Sequence, residues 1–207
     1  MKETQIATIF PTSIYISHLN RDFSKKEINF INKSKSKTYK NIGNITSNDT
    51  YILNNINFKN LKKEIEEKLN DYFIKIISTE NKITSYITQS WLNYTTKNQH
   101  HHIHAHPNSF ISGVLYINAD KQYDKIYFYK KDSHNTISPF VNNKNLHLLN
   151  SNIWWIPVET GQIVLFPSCL THSVETKKED DTRISLAFNT FVKGTLGSEK
   201  ELTQLML

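Results

Sequence analysis

The chain has 207 residues and a formal net charge of +6, and its single cysteine excludes an intrachain disulfide and a cysteine-rich zinc site. Aromatic residues make up 12% of the sequence, which supplies enough large apolar surface to favour a folded protein over a disordered one. No apolar run is long enough to span a membrane, and the N-terminus lacks the apolar block of a signal peptide. We therefore expect a cytoplasmic protein that does not enter a membrane.

The positive charge does not identify a partner. Lysines are scattered among asparagines and glutamates instead of forming a basic stripe, so we do not expect a nucleic-acid partner. The length suits one domain over residues 1–207, and the sequence contains no internal repeat and no linker that would divide it. The oligomeric state does not follow from these features.

The first 80 residues carry mainly helical patterns. Ser24 followed by Glu27 resembles a capping box and predicts a helix over residues 24–39. The clearest helix is predicted over 58–77, where apolar residues recur at helical spacing between lysines and glutamates. The other segments predict a strand, a break and a second short strand or turn over 5–18, and a polar loop over 43–51.

From residue 84 onward the pattern changes to short strands separated by turn-forming residues. Helices followed by about eight strands indicate an α+β, mainly β fold, with a helical flank over about 20–80 and a jelly-roll core over about 84–192. The tail over 194–207 predicts a short helix or a frayed end. The predicted strands are 84–94, 111–118, 124–130, 146–149, 152–157, 161–166, 170–176 and 182–192.

Histidines are concentrated just before the central strand. Five of the nine lie within residues 100–106, and in an extended strand His102, His104 and His106 would point to the same face. Neutral imidazole is the commonest protein ligand for zinc, copper and iron. The segment therefore predicts a metal at the mouth of a barrel, and the alternative is a solvated loop that binds metal only adventitiously. We expect His100 and His101, the first two histidines of this segment, to be exposed to solvent.

Two further polar residues follow in the strand-rich half. His172 stands alone in a strand, and the segment 183–191 alternates so that Arg183, Ser185 and Ala187 share one face. A buried arginine needs an anionic partner, and no carboxylate at matching spacing is nearby. We therefore expect a ligand carboxylate to bind the planar guanidinium. The alternative is an arginine whose charged end reaches solvent at the strand end.

The order of these motifs resembles the 2-oxoglutarate- and Fe(II)-dependent oxygenases, in particular a bacterial and phage group with the signature HxHP…SGVxY…FPS…H…RISxxFN. The resemblance implies a double-stranded β-helix, a jelly-roll core with N-terminal flanking helices. It covers nearly the whole chain, through IFPTSIY at 9–15, SWLNY at 90–94, HAHPNSFISGVLY at 104–116, LFPSCLTHSV at 165–174 and RISLAFN at 183–189.

The metal ligands implied by the resemblance are His104 and the distal His172. The wider superfamily places a carboxylate two residues after the first histidine, whereas this chain has His106 there. Three arrangements remain open: a three-histidine site that includes His106, which we favour; a two-histidine site completed by water or another group; or His102 and His104 as the pair. A three-histidine site carries one negative charge less and should bind Fe(II) more weakly. No catalytic residue is expected beyond the metal centre.

The resemblance also implies a cosubstrate site and an activity. Arg183 would form a salt bridge to the C5 carboxylate of 2-oxoglutarate and Ser185 would bind the same group, with Asn93 and Tyr116 as further pocket residues. The implied reaction uses Fe(II), 2-oxoglutarate and O₂ to hydroxylate an unidentified small-molecule or peptidyl substrate, and releases succinate and CO₂. The alternatives are a cupin-like metal enzyme and a non-catalytic metal-binding sensor, neither of which would use 2-oxoglutarate.

Overall fold

The computed structural model describes residues 4–130 and 141–207. Two α-helices are present, α1 (Lys25–Ser34) and α2 (Lys59–Tyr72), and a π-helical segment over Phe73–Ile77 continues α2. The strands are β1 (Tyr15–His18), β2 (Thr38–Lys40), β3 (Ile45–Ser47), β4 (Ile83–Thr95), β5 (His101–His104), β6 (Ile111–Asn118), β7 (Lys125–Tyr129), β8 (Ile153–Pro157), β9 (Gln162–Pro167), β10 (His172–Val174), β11 (Arg183–Leu196) and β12 (Leu205–Met206). Short 3₁₀ turns occupy Ile52–Asn54, Ile56–Phe58 and Asn143–Asn145.

The strands form two antiparallel sheets, as a jelly roll requires. The larger sheet has the order β1-β9-β6-β11-β4-β3-β2, with β12 paired to β11, and the smaller sheet has the order β5-β10-β7-β8. Long central strands β4 and β11 pair along nearly their full length and hold the larger sheet together. The described part of the chain is therefore mainly β with N-terminal flanking helices, as predicted.

Alternation along β6 separates two hydrophobic cores. Ile111 and Leu115 face the helices, where they join a core that includes Leu61 and Leu69 of α2. Tyr116, of the opposite parity, faces the space between the two sheets and joins a smaller core. The helices thus cover the outer face of the larger sheet. Its inner face turns towards the smaller sheet, and a pocket lies between the two sheets.

The N-terminal boundaries differ in part from the predictions. Helix α1 has the predicted capping box, because the Ser24 hydroxyl accepts from the Glu27 N–H and the Glu27 carboxylate accepts from the Ser24 N–H. It ends at Ser34, however, and residues 38–40 form β2. The predicted loop over 43–51 is wrong at β3, where Ser47 is buried and its hydroxyl accepts from the Leu92 N–H. Polar strand residues are retained here because they hydrogen-bond to the neighbouring strand.

Three further predictions fail because strand pairing differs from what the local sequence suggests. The strand predicted over 146–149 is wrong, because these residues lead into a turn whose backbone is bonded locally. Within the predicted segment 5–18 only Tyr15–His18 forms a strand, since only it pairs with β9. The tail is neither helical nor frayed, because β11 extends to Leu196 and pairs with β12.

None of the helices within residues 4–130 and 141–207 combines the length and the apolar character that crossing a membrane requires. The interpretation of residues 1–207 as one domain stays a prediction.

Candidate metal centre and the pocket beneath it

Two histidines face each other across the smaller sheet. His104 on β5 and His172 on β10 are register partners, and their ring centroids are 4.3 Å apart. Nδ1 of His104 donates to the His102 carbonyl at 2.8 Å, and Nδ1 of His172 donates to the Leu170 carbonyl at 3.0 Å. Because a carbonyl can only accept, Nδ1 carries the proton in both rings and Nε2 presents a lone pair suited to a metal.

A third imidazole completes the group. His106 follows β5, and its Nε2 is buried without a hydrogen-bond partner among the described residues. The indole of Trp91 stacks on its ring, with centroids 5.9 Å apart. One donor nitrogen from each of His104, His106 and His172 lies within 4.8 Å of the other two. Within residues 4–130 and 141–207, Nε2 of His106 thus lies unpartnered beside the Nε2 lone pairs of His104 and His172. A bound cation would give all three nitrogens a partner.

The surroundings keep these rings neutral. Burial, followed by the charge of the neighbouring His104, lowers the pKa of His172 to about 3 and that of His106 to about 4. Burial also lowers the pKa of His104. Since only a neutral imidazole can bind a metal, the cluster is in its ligand form at neutral pH.

The predicted cosubstrate residues form a row on the larger sheet. Ser185 on β11 is the register partner of Asn93 on β4 and of Tyr116 on β6. Arg183 lies two residues earlier on the same face of β11, and all four side chains line one pocket between the sheets. The three histidines line the same pocket. The structure thus brings both predicted sets of residues to one cavity.

The expectation that no side-chain carboxylate lies near Arg183 is wrong. Nη1 of Arg183 donates to Asp124 Oδ1 at 2.8 Å, and both side chains are almost fully buried. Nη2 of Arg183 donates to the Glu175 carbonyl at 3.3 Å. Lys177 Nζ lies 3.6 Å from the same Asp124 oxygen. Asp124 is 59 positions from Arg183 in the sequence and directly precedes β7, whose Ile126 lines the same pocket.

One hydroxyl beside Arg183 is unsatisfied. The Tyr116 hydroxyl is buried and has no hydrogen-bond partner among the described residues, and burial raises its pKa. Burying a hydroxyl without a hydrogen-bond partner costs folding free energy. The Tyr116 hydroxyl is therefore available to donate a hydrogen bond to a ligand in the pocket. Asn93, by contrast, already accepts from the Thr46 hydroxyl at 3.0 Å.

The expectation that His101 lies in solvent is wrong. Its ring stacks on that of His104, with centroids 4.7 Å apart and an angle of 14° between the planes. Burial lowers its pKa to about 2. Regular alternation would place residues 101 and 104 on opposite faces, but the register between β5 and β10 shifts here. A bulge therefore turns His101 towards the cluster, whereas His100 is exposed as predicted.

Sequence reasoning missed several residues of the pocket wall. Trp91 and Thr95 share the parity of Asn93 on β4, so alternation around the SWLNY motif could have placed them in the pocket. Asp124, the buried partner of Arg183, carries no local signal in the sequence, because the two residues are 59 positions apart.

Comparisons with known proteins define the class. Residues 89–189, the segment that holds all the site residues above, match the family described as "Putative 2OG-Fe(II) oxygenase". No curated protein matches the chain in sequence.

Solved structures share the fold at low sequence identity. HygX from Streptomyces hygroscopicus, with nickel, 2-oxoglutarate and hygromycin B bound, is 13% identical with a TM-score of 0.54, over 86% of this chain and 82% of that one. A prolyl hydroxylase from Trichoplax adhaerens, in complex with a hypoxia inducible factor peptide fragment, is 13% identical with a TM-score of 0.58, over 86% and 83%. The epimerase SnoN from nogalamycin biosynthesis is 8% identical with a TM-score of 0.59, over 88% and 81%.

The fold is therefore the double-stranded β-helix, and the predicted fold class is confirmed. Because residues 89–189 match the 2OG-Fe(II) oxygenase family and the fold agrees, the predicted resemblance is confirmed as well.

Proposed function

We propose that the protein is an Fe(II)- and 2-oxoglutarate-dependent oxygenase that hydroxylates its substrate, with iron held by His104, His106 and His172. The observation that carries this proposal is one cavity that has three neutral imidazoles on one wall and Arg183 with Ser185 on another. Three imidazoles suit Fe(II), although a carboxylate is the commoner third ligand in this type of site. When bound, iron and 2-oxoglutarate supply the oxidation of a substrate C–H bond by O₂, with succinate and CO₂ as coproducts.

The chain's own residues orient the ligands. The carbonyls of His102 and Leu170 hold the two facing imidazoles in the tautomer that exposes Nε2. The indole of Trp91 packs on His106 and restricts its rotation. These contacts set the direction of each lone pair before a metal arrives, which reduces the ordering cost of binding.

At the other wall, Arg183 would bind the distal carboxylate of 2-oxoglutarate, together with Ser185 and the Tyr116 hydroxyl. Asn93 lies beside Ser185 and would donate to the anion through its side-chain N–H groups, because its carbonyl oxygen is held by the Thr46 hydroxyl. The free volume of the inner pocket is only about 30 Å³, which is room for one or two waters. A five-carbon diacid needs more room than this, so we expect side chains around Arg183 to move on binding and Arg183 to exchange part of its contact with Asp124 for the incoming carboxylate.

The substrate would approach from the outer side of the histidines. A cavity of about 450 Å³ opens there and shares Trp91, His104 and His106 with the inner pocket. Its other walls carry hydroxyl and amide side chains with no Lys, Arg, Asp or Glu among the described residues, namely Tyr39, Asn41, Thr46, Thr50, Gln89 and Asn189. This lining suits an uncharged, hydrogen-bonding part of a small molecule or peptide. HygX with hygromycin B and the prolyl hydroxylase with a peptide are examples of both sizes on this fold.

Anaerobic titration tests the proposal. Fe(II) is added to the apoprotein with and without 2-oxoglutarate, and the visible charge-transfer band of the chelate is followed. We expect a band only when both are present, and loss of the band at the same 2-oxoglutarate concentration in Arg183→Ala. Lys193→Ala is the matched control, because Lys193 is an exposed cation on the same strand.

One observation favours the alternative function, a cupin-like metal enzyme that does not use 2-oxoglutarate. Asp124 gives Arg183 a buried partner without any ligand, as a metal enzyme that needs no keto acid would require. Iron binding with no keto-acid band in the wild type would support that alternative and overturn the use of 2-oxoglutarate. Absence of iron binding would overturn the metal centre itself.

A further inference from the structure

A second group of imidazoles lies beside the proposed iron ligands. His101, His102 and His104 each place one donor nitrogen within 4.8 Å of the other two. Their ring centroids are 4.7 Å, 4.7 Å and 5.3 Å apart. We infer that these three histidines form a second metal seat, suited to an ion that prefers imidazole such as Zn(II), and that it shares His104 with the iron site.

The local backbone explains why three near-consecutive rings meet. The pairing of β5 with β10 matches His104 to His172 and His101 to Val174, so β5 uses three steps where β10 uses two. The extra residue forms a bulge that breaks the alternation. Ile103 takes the outward position and is 59% exposed, while the three histidines turn inward together.

One nitrogen of this group has no hydrogen-bond partner in the part of the chain that the structure describes, and another is paired with an amide. Nδ1 of His102 is buried with no hydrogen bond among the described residues. Nδ1 of His101 lies 3.3 Å from the side-chain amide nitrogen of Asn44, whose own Oδ1 is buried and unpartnered. A half-turn of this amide places Oδ1 on Nδ1–H of His101, which leaves Nε2 of that ring free as a ligand. A cation between the rings thus explains the unpartnered Nδ1 of His102, and the turned amide explains Oδ1 of Asn44.

The shared ring makes the two seats mutually exclusive. Nδ1–H of His104 donates to the His102 carbonyl at 2.8 Å, so the ring has one lone pair, on Nε2. One lone pair binds one metal ion. An ion on His101 and His102 therefore withdraws His104 from His106 and His172, and the cluster holds one ion at either of two positions.

The required movement is small. Imidazole nitrogens about 2.0–2.1 Å from a tetrahedral zinc lie roughly 3.4 Å from one another. The donors are already within 4.8 Å, so side-chain rotations of about an ångström close the seat. All three residues line the outer cavity of about 450 Å³, which gives their rings space for such rotations.

Zinc binding to the full-length apoprotein tests the inference without iron, 2-oxoglutarate or O₂. The stoichiometry and affinity for Zn(II) are measured calorimetrically in the wild type, in His106→Ala/His172→Ala, and in that double variant with His102→Ala added. We expect one zinc per chain in the first two proteins and at least a ~10-fold weaker affinity in the third. His100→Ala in the double-variant background is the control, because His100 is exposed and belongs to neither seat, and it should leave the affinity unchanged.

Other results would overturn the inference. A folded double variant that binds no zinc would eliminate the second seat, and two zinc ions on the wild type would eliminate the exclusive use of His104. Equal losses from His100→Ala and His102→Ala would mean adventitious binding by a histidine-rich surface. If circular dichroism shows that the double variant does not fold, His106→Ala/His172→Gln takes its place, because glutamine fills the buried position. The consequence for iron rests on the proposed function, but this binding test does not, so the two can fail separately.

Discussion

At one end of the inner pocket the polar groups are neutral imidazoles, whereas at the other end they form a buried ion-pair network. Burial holds the pKa of His172 at about 3, and no carboxylate contacts the three proposed ligands among the described residues. At the other end, Asp124 lies between Arg183 and Lys177, and Lys177 also lies 2.9 Å from Asp181. The histidine end can therefore take up a positive charge by binding a metal ion. At the Arg183 end, the positive and negative side chains already neutralise one another.

This difference has a consequence for the proposed cosubstrate. Three neutral ligands leave both positive charges of Fe(II) uncompensated, and the two negative charges of 2-oxoglutarate would neutralise them. With a carboxylate as the third ligand the same complex would carry one excess negative charge. The neutral end should therefore bind iron more weakly alone and gain more from the diacid, while the ion-paired end must open to admit it.

The largest expected effect is at the ring shared by both metal seats. His104→Ala should weaken binding of Fe(II) and of Zn(II) by about 10³-fold or more, because each seat loses a central ligand and keeps two. Calorimetry on the apoprotein measures both metals. His100→Ala should bind both like the wild type. If His104→Ala retained the wild-type Fe(II) affinity, the neutral end of the pocket would not be the metal centre.

At the ion-paired end the main effect is on stability. Asp124→Asn keeps the shape of the side chain but leaves Arg183 without its buried carboxylate, so the free energy of unfolding should fall by about 3 kcal/mol. Urea denaturation measures the change. The control is Asp180→Asn, whose partner Lys97 is half exposed, and it should cost less than about 1 kcal/mol. Equal effects of the two variants would show that the buried network is not a structural ion pair.

The two ends were not equally predictable from the sequence. Period-two alternation in RISLAFN placed Arg183 and Ser185 on one face, and the structure puts both side chains in the pocket. The partner of Arg183 could not be predicted, because Asp124 is 59 positions away and precedes a strand of the other sheet. Spacing within HHHIHAH correctly brought His104 and His106 together but failed at His101, since a single bulge reverses the expected face.

Polarity was misleading in one part of the fold. Residues 43–51 were predicted to be a loop because they are polar, yet Thr46 and Ser47 are buried in β3. The Thr46 hydroxyl donates to Asn93, and that of Ser47 accepts from the Leu92 N–H. Such hydrogen bonds depend on the neighbouring strand and leave no periodic trace in the local sequence.

The charge difference between the two ends is tested by His106→Glu. A glutamate carboxylate reaches about as far from its backbone as the imidazole Nε2, and it adds the negative charge that this site lacks. Affinity for Fe(II) should rise by about tenfold, because the new ligand is anionic. Affinity of the iron form for 2-oxoglutarate should fall, since the complex becomes negatively charged.

His106→Gln is the neutral control for this variant and should lower the Fe(II) affinity. Anaerobic titrations of iron, followed by 2-oxoglutarate, give both constants for each protein. A parallel rise of both affinities in His106→Glu would show that overall charge does not govern the diacid, and the proposed advantage of a three-histidine centre would be lost.

The smallest effect concerns the unpaired hydroxyl beside Arg183. Tyr116→Phe removes a buried hydroxyl that has no hydrogen-bond partner among the described residues, so the free energy of unfolding without ligand should stay equal or rise by up to about 1 kcal/mol. The same variant should bind 2-oxoglutarate about five- to tenfold more weakly, because a hydrogen bond to a charged group is lost.

Tyr94→Phe is the contrasting variant, because the buried Tyr94 hydroxyl donates to the Ile31 carbonyl at 2.7 Å. It should lose stability and leave 2-oxoglutarate binding unchanged. Urea denaturation and titration of the iron form separate the two effects. Loss of stability in both variants, with 2-oxoglutarate affinity unaltered, would mean that the Tyr116 hydroxyl supports the fold, and the cosubstrate carboxylate would then have to rely on Arg183 and Ser185.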